Sequence, residues 1–136
     1  MSSPNFKLET QIFFKSLQEN ICAALEKEDG TGKFVPHIWE RDGGGGGRSM
    51  VLQEGTVIEK GGVNFSAVEG ELPENISKAL GVKSNHFFAT GVSIVIHPNN
   101  PLVLHRAEQL NLLNYRLILL HQQTVQVLLI LLDDFQ

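Results

Sequence analysis

The sequence predicts an α+β fold in which an N-terminal helix packs on a twisted antiparallel β-sheet and a leucine-rich helical tail follows. Three observations predict this class. Apolar residues recur at helical spacing before Gly30, short apolar runs bounded by glycine or charge fill residues 34–96, and leucine dominates residues 102–136. With 136 residues, of which 42% are hydrophobic, the chain is long enough to bury the core of one domain. We therefore interpret residues 1–136 as a single domain with a distinct tail.

The first helix is predicted over Asn5 to Lys27. Its apolar residues recur at spacings of one, three and four, which is the period of an amphipathic helix. These residues are Phe6, Ile12, Phe13, Leu17, Ile21, Ala24 and Leu25. Gly30 ends the pattern, so the helix is expected to cover one face of a sheet.

Short β-type runs follow, each bounded by glycine or charged residues. They predict strands over Phe34 to Glu40, Ser49 to Gln53, Thr56 to Val68 and His86 to Ile96. Tight glycine turns between them favour antiparallel pairing. Before the last strand, Glu74 to Leu80 is predicted as a short helix, because Pro73 precedes it and Gly81 follows it. The turn from Pro98 to Pro101 ends the last strand.

Residues 102–136 contain no glycine or proline and are dominated by leucine. Their apolar positions recur near a period of three and a half, which predicts a helix or a pair of helices. A buried pair of strands is the alternative that this pattern leaves open. The run from Leu117 to Leu132 is too short to span a membrane and contains polar residues such as His121 and Gln126, so no membrane span is expected.

Five consecutive glycines, Gly43 to Gly47, lie between Arg41 and Arg48. Glycine adopts positive φ freely and has no side chain to shield its N–H group, so the run predicts a loop whose backbone wraps closely round an anion. The two arginines are candidates to clamp a carboxylate each, and Lys60 is a candidate for a third. The alternatives are a flexible linker for the glycines, solvated turn residues for the arginines, and an exposed pair with Glu59 for Lys60.

Charge and cysteine content exclude several classes of protein. The net charge of −4, with charged residues at 19%, argues against nonspecific nucleic-acid binding, which needs a concentrated cationic surface. A single cysteine, Cys22, excludes an internal disulfide and is typical of a reducing compartment. The first residues, MSSPNFKLETQ, have neither the layout of a secretory signal nor the arginine-rich character of a transit peptide. A cytoplasmic protein is therefore expected.

The sequence around the glycine run resembles a known family. Residues 39–70, WERDGGGGGRSMVLQEGTVIEKGGVNFSAVEG, combine an aromatic residue, an arginine, a glycine turn and a Glu-Lys-x-Gly-Val-Asn-x-Ser block. A second block from Gly91 to Pro101 has the sequence GVSIVIHPNNP at the distance that the family shows. Together the blocks resemble the oxygen-dependent coproporphyrinogen III oxidases of haem synthesis, from Phe6 to Pro101.

The resemblance implies an enzyme that oxidatively decarboxylates coproporphyrinogen III to protoporphyrinogen IX, with O2 as co-substrate. This substrate is a tetrapyrrole with four propionate carboxylates, two of which become vinyl groups with loss of carbon dioxide. The resemblance also implies a homodimer and a sheet sandwiched between helices. A divalent metal is an open alternative among the cofactors.

The resemblance implies roles for single residues as well. Ser93 matches a serine that contributes to substrate binding, and His97 matches a histidine assigned to a divalent metal in bacterial members. For His97, a turn histidine hydrogen-bonded to backbone is the alternative. His105 lies near the position of the family's proton-donating histidine. Asn64 and Ser66 take alternate positions on one predicted strand, so they face the same side and either line the pocket or face water.

Beyond Pro101 the chain departs from the family pattern. A second glycine motif is absent, together with its Asp, which mechanisms for the family propose as the base that activates the pyrrole. Two functions of different class therefore stay open. The first is a coproporphyrinogen oxidase or a truncated form of one, with residues 102–136 as a divergent tail. The second is a non-catalytic tetrapyrrole-binding or assembly module that pairs with a partner through this tail.

Overall fold

The described part of the chain folds as one antiparallel β-sheet with a long helix across one of its faces. The structure is a computed structural model that describes residues 4–83, 85–100 and 124–132. In chain order its elements are α1 (Pro4–Asp29), β1 (Val35–Glu40), β2 (Gly45–Gln53), β3 (Ile58–Glu71), α2 (Glu74–Leu80), β4 (His86–Pro98) and β5 (Thr124–Leu132). All paired strands are antiparallel, and their order across the sheet is their order along the chain. The predicted α+β class, with an N-terminal helix on an antiparallel sheet, is confirmed.

An apolar stripe packs α1 on β3 and β4. Its members Phe14, Ile21, Cys22 and Leu25 are buried in one core with sheet residues. The sheet residues of this core include Leu52, Val63, Phe65, Val92 and Ile94. Burial of one Leu, Ile or Phe side chain stabilises a fold by about 1.5–3 kcal/mol, so this stripe holds the helix on the sheet. Within the described residues, neither α1 nor α2 is long and apolar enough to cross a membrane.

The two faces of the sheet carry different residues. On β3, Val63, Phe65 and Ala67 are buried, whereas Asn64 and Ser66 between them point to the opposite side and are half-buried. We call the side packed against α1 the helix face. We call the side that carries Asn64 and Ser66 the open face.

The predicted strands and short helix are confirmed with small changes at their ends. β1 begins at Val35, β3 is one strand that continues to Glu71, and β4 continues to Pro98. α2 has the predicted bounds. Gly81 follows it in the left-handed conformation, with φ +67°, and its N–H donates to the Lys78 carbonyl at 3.2 Å.

The glycine run is not the loop that the sequence predicts. Only Gly43 and Gly44 lie in the turn between β1 and β2, and Gly45 to Gly47 belong to β2. Gly46 and Gly47 pair with both β1 and β3. A Cβ at Gly47 would collide with the Phe65 carbonyl oxygen. The loop prediction is therefore wrong for Gly45 to Gly47, because the absence of side chains there allows neighbouring strands to approach closely.

The predicted helical tail is wrong where the structure describes it. Thr124–Leu132 form β5, which pairs with β4 from Val95 opposite Thr124 to Phe87 opposite Leu132. A short apolar run does not by itself distinguish a helix from a buried strand, and here β4 offers a strand edge to pair with. For Thr124–Leu132 the structure therefore shows a strand, as in the alternative interpretation of the tail. The rest of the tail, including the candidate His105, lies outside the described residues.

Cys22 gives a direct test of the core. Burial raises the pKa of its thiol to about 12, and the nearby Glu26 carboxylate adds to the increase. We expect the folded protein not to react with a thiol reagent near neutral pH, because only the thiolate is nucleophilic. Absorbance after addition of Ellman's reagent measures the reaction, and unfolding in guanidinium chloride should release one reactive thiol per chain. Rapid labelling of the native protein would contradict the packing of α1.

Candidate functional site

Three polar side chains from three strands meet on the open face. Asn64 on β3 is paired in register with Ser93 on β4 and with Ser49 on β2. Side chains opposite each other in such pairs have Cβ atoms about 4.5–5.5 Å apart, so these three form one row, which we call the polar row. All three are half-buried, and within the described residues none of their side chains forms a hydrogen bond. Within that part of the chain, their donors and acceptors are unpaired and can bond a ligand.

Ser66 extends this surface by one register row. It lies opposite Gly47 on β2 and Gly91 on β4, so no side chain on either neighbouring strand screens its hydroxyl. The structure thus brings together the predicted candidates Ser93, Asn64 and Ser66. Ser49 was missed, because the predicted strand began at Ser49 itself and its direction relative to Asn64 was not established.

One end of the open face is cationic. Lys60 and His97 lie opposite each other in the β3–β4 pair, next to a register shift between Ile58 and Lys60. Both residues are exposed. Lys60 is four residues from Asn64, which is about 13 Å along a strand that rises about 3.3 Å per residue. Lys60 and His97 therefore flank the polar row on its own face.

His97 is the predicted metal ligand on this face. Among the described residues no group of three or more His, Cys, Asp and Glu side chains is positioned to hold a metal ion. The register neighbour of His97 is Lys60, a cation that repels a metal ion. Metal ligation by His97 stays a prediction.

Arg41 lies at the other end of the open face. Its Nη1 donates a hydrogen bond to the Glu69 carbonyl at 2.8 Å, and its Cζ lies 5.9 Å from the centre of the Phe87 ring. A Cβ at Gly70 would lie 3.2 Å from the same Nη1, so the guanidinium covers this glycine. Gly70 is six residues from Asn64, or about 20 Å along β3. Arg41 is therefore the more distant of the two predicted cations on this face.

Arg48 lies on the helix face. Its Nε donates to Gln18 Oε1 at 2.8 Å, and its Nη2 donates to Glu19 Oε1 at 3.0 Å. Gln18 is fully buried, and its Nε2 donates to the carbonyls of Arg48 and Val63 at 2.7 and 2.8 Å. This network joins α1 to β2 and β3. The two arginines that flank the glycines in sequence thus lie on opposite faces of the sheet, and the structure does not bring Arg48 to the polar row.

The backbone of the glycine run makes hydrogen bonds within the fold. The Gly44 N–H donates to the Arg41 carbonyl at 3.0 Å, and the Gly45 carbonyl accepts from the Arg41 N–H at 2.9 Å. The Gly44 carbonyl accepts from the Glu69 N–H at 3.3 Å. Binding of a carboxylate by Gly43 to Gly47 stays a prediction.

Asp29 at the end of α1 is a conspicuous residue that the sequence analysis missed. Its carboxylate is buried and accepts hydrogen bonds from the N–H groups of Gly32, Ile58, Val57 and Thr56 at 2.6, 2.8, 2.9 and 3.1 Å. Burial alone would raise the pKa of Asp29, but these donors outweigh it and hold the pKa well below its ordinary range. The carboxylate therefore ties the end of α1 to the start of β3. The signal in the sequence is the Asp-Gly-Thr-Gly segment directly after the helix.

A cavity of about 280 Å³ competes with the open face as a binding site. It lies on the helix face between α1 and β1 to β3, and its lining includes Lys15, Ile38, Arg48 and Phe65. Small-molecule pockets generally measure about 300–1,000 Å³. Its cations Arg48 and Lys15 interact with Glu19 and with the Phe65 ring, so we favour the polar row, whose polar groups are unpaired among the described residues.

Comparison with known proteins gives one consistent result. A family model described as Coproporphyrinogen III oxidase matches residues 9–128. A protein named oxygen-dependent coproporphyrinogen-III oxidase from Prochlorococcus marinus (strain AS9601) is 48% identical over 101 residues, which cover 73% of this chain and 30% of the relative. A protein of the same name from Parasynechococcus marenigrum (strain WH8102) is 56% identical over 89 residues, which cover 64% of this chain and 24% of the relative. The chain therefore spans less than a third of the length of these curated relatives.

Proposed function

This chain belongs to the coproporphyrinogen III oxidase family, and from that premise we propose that it is part of an oxygen-dependent enzyme that converts coproporphyrinogen III to protoporphyrinogen IX. Each propionic acid side chain that becomes a vinyl group loses carbon dioxide, two protons and two electrons, and one O2 takes up these electrons and protons as hydrogen peroxide. The observation that carries the proposal is the polar row, whose side chains have no hydrogen-bond partner among the described residues. In this proposal residues 1–136 are one partial domain of the enzyme.

The chemistry of the open face supports its assignment to the substrate. Ser93, Asn64 and Ser66 offer hydroxyl and amide groups that can bond propionate oxygens or pyrrole N–H groups. Lys60, about 13 Å along β3 from Asn64, is the nearer cation for a propionate. Arg41, about 20 Å away, suits a more distant carboxylate or the rim of the site. These roles require no metal ion.

A second candidate is a non-catalytic tetrapyrrole-binding or assembly module. The matched relatives are more than three times longer than the part that this chain matches, so the reaction can require groups outside that part. Incubation of the purified chain with coproporphyrinogen III under O2, followed by chromatography of the porphyrins, distinguishes the two. Protoporphyrin formation supports the oxidase, and tight binding without turnover supports the module.

Ser93→Ala tests the site itself. We expect this change to weaken binding of coproporphyrin III by about threefold to tenfold, because it removes a hydrogen bond of roughly 0.5–1.5 kcal/mol. Titration followed by the porphyrin absorbance measures the affinity. Ser16→Ala, at an exposed position of α1, is the matched control and should bind as the parent does. Equal affinity of Ser93→Ala and the parent would remove Ser93 from the site.

We also propose that the protein acts in the cytoplasm as a homodimer. β1 is the first strand of the sheet, and all six of its residues are exposed, including Ile38 at 73%. An exposed edge strand with apolar side chains favours pairing with a second copy. We expect light scattering at concentrations on the order of tens of micromolar to give the mass of a dimer. Ile38→Lys should shift this mass toward the monomer, and a monomeric parent would contradict the proposal.

A further inference from the structure

Trp39 occupies the space above a glycine on the open face. Its register partner on β2 is Gly47, which in turn lies opposite Ser66 on β3. A Cβ at Gly47 would collide with Trp39 Cζ2 and would lie 2.6 Å from Trp39 Cε2, so the indole fills the position of the missing side chain. The residue is still 37% exposed. Part of the indole is therefore available to a ligand that lies beside Ser66.

Ser49 has the same relation to the centre of the polar row as Ser93. Both are paired in register with Asn64, Ser49 from β2 and Ser93 from β4. Both are half-buried on the open face, and neither side chain forms a hydrogen bond within the described residues. Ser49 and Ser93 lie on either side of Asn64. A ligand that lies over Asn64 and accepts a hydrogen bond from Ser93 is thus within reach of Ser49.

A glycine keeps the surface low beside the polar row. Gly62 lies two residues before Asn64 on the same face. The nearest atom to a Cβ added at Gly62 would be Asn64 Nδ2, at 3.8 Å, so nothing among the described residues rises above this glycine. A ring that extends across several strands can therefore contact the open face beside the polar row. Lys60 and Arg41, at the two ends of this face, complement carboxylates at the edge of the ring.

We infer that Trp39 and Ser49 extend the substrate-binding surface from β3 and β4 onto β1 and β2. Trp39 contacts the apolar edge of a cyclic tetrapyrrole, and Ser49 hydrogen-bonds one of its polar groups. The inference rests on the proposed function, and it assigns two binding residues that the sequence analysis did not include in the site. The ring of the ligand, and not its carboxylates alone, is then what the open face recognises.

Binding of coproporphyrin III to the intact chain tests this inference. We expect Ser49→Ala to weaken binding by about threefold to tenfold, since one neutral hydrogen bond is lost. Trp39→Ala should weaken binding by about tenfold, and Trp39→Phe should weaken it less because an aromatic ring remains. Ser16→Ala, at an exposed position of α1, is the matched control. Denaturant unfolding of every variant separates loss of contact from loss of fold.

A contact readout makes the test independent of stability. Trp39 is the single tryptophan of the chain, so growth with fluorotryptophan labels this position alone. Fluorine NMR should then show a large ring-current shift when coproporphyrin III is added, because such a shift requires the macrocycle to lie against the indole.

The outcomes separate the inference from the proposed function. Weaker binding by Ser93→Ala, with parental affinity in Ser49→Ala and Trp39→Ala and no fluorine shift, would overturn the inference and leave the proposed function standing. Absence of any binding by the parent chain would overturn both. Weaker binding of coproporphyrin III by Ser49→Ala, together with the fluorine shift, would support the inference.

Discussion

Replacement of Asp29 by asparagine is expected to lower the free energy of unfolding by about 3–4 kcal/mol at neutral pH, the largest effect of any substitution considered. The buried carboxylate accepts hydrogen bonds from five backbone N–H groups and from the Thr31 hydroxyl. An amide keeps one oxygen acceptor and turns an NH2 group toward these donors. Some buried N–H groups are then left without a partner, and each costs roughly 1–3 kcal/mol. Denaturant unfolding followed by Trp39 fluorescence measures the change.

The same residue predicts how stability depends on pH. The pKa of Asp29 is lower in the folded protein than the ordinary value of about 3.9 that it has when unfolded, so the unfolded chain binds the proton more tightly. Its contribution to the free energy of unfolding is fully present above about pH 5 and is lost as pH falls toward the folded-state pKa. We expect the parent to lose stability below about pH 5 more steeply than Asp29→Asn does.

Asp42→Asn is the matched control for both measurements. Asp42 lies exposed in the turn between β1 and β2, so the same chemical change there should leave the free energy of unfolding within about 0.5 kcal/mol of the parent. Similar losses in the two variants would mean that the net charge, and not the hydrogen bonds of Asp29, accounts for the effect.

Gly47→Ala is expected to lower the free energy of unfolding by about 2–3 kcal/mol. The added methyl group would collide with the Phe65 carbonyl oxygen of β3 and with the indole of Trp39. The backbone of β3 cannot move away without disturbing the pairing of β2 with β3, and overpacking of this kind is costly. The change should also displace Trp39, which a shift of its fluorescence maximum would report.

Gly62→Ala is the matched control, because Gly62 also lies on the open face within the sheet. The nearest atom to its added methyl group is 3.8 Å away, which is an ordinary contact. Glycine in a strand costs roughly 0.5–1 kcal/mol relative to alanine, so this variant should be as stable as the parent or slightly more stable. Equal destabilisation by both alanines would contradict the close approach at Gly47.

The helices and most strands could be predicted because their causes are local. The apolar period of α1 and the proline and glycine at the ends of α2 lie within the elements themselves. The glycine run could not be predicted correctly, because its conformation depends on how closely β1 and β3 approach β2. Glycine permits both a loop and a tight strand, and only the neighbouring strands decide between them.

The candidate site was predicted on the strands whose alternation was clear. Period-two alternation and the family resemblance both identify Asn64, Ser66 and Ser93 as candidates. The register of β3 with β4 brings these three residues together on one face. Arg48 was grouped with Arg41 on sequence proximity, but the strand that begins at Gly45 directs Arg48 to Gln18 on the helix face. Asp29 was missed because the Asp-Gly-Thr-Gly signal accounts only for its local donors, whereas Thr56, Val57 and Ile58 donate from a part of the chain far away in sequence.

The order of the strands has a consequence for how the chain folds. From β1 to β4 each strand pairs with the next one made, so each hairpin closes a short loop at small entropic cost. The long helix is synthesised before the strands, yet its apolar stripe packs on β3 and β4. We therefore expect the helix to dock on the sheet only after β3 and β4 have been made and paired.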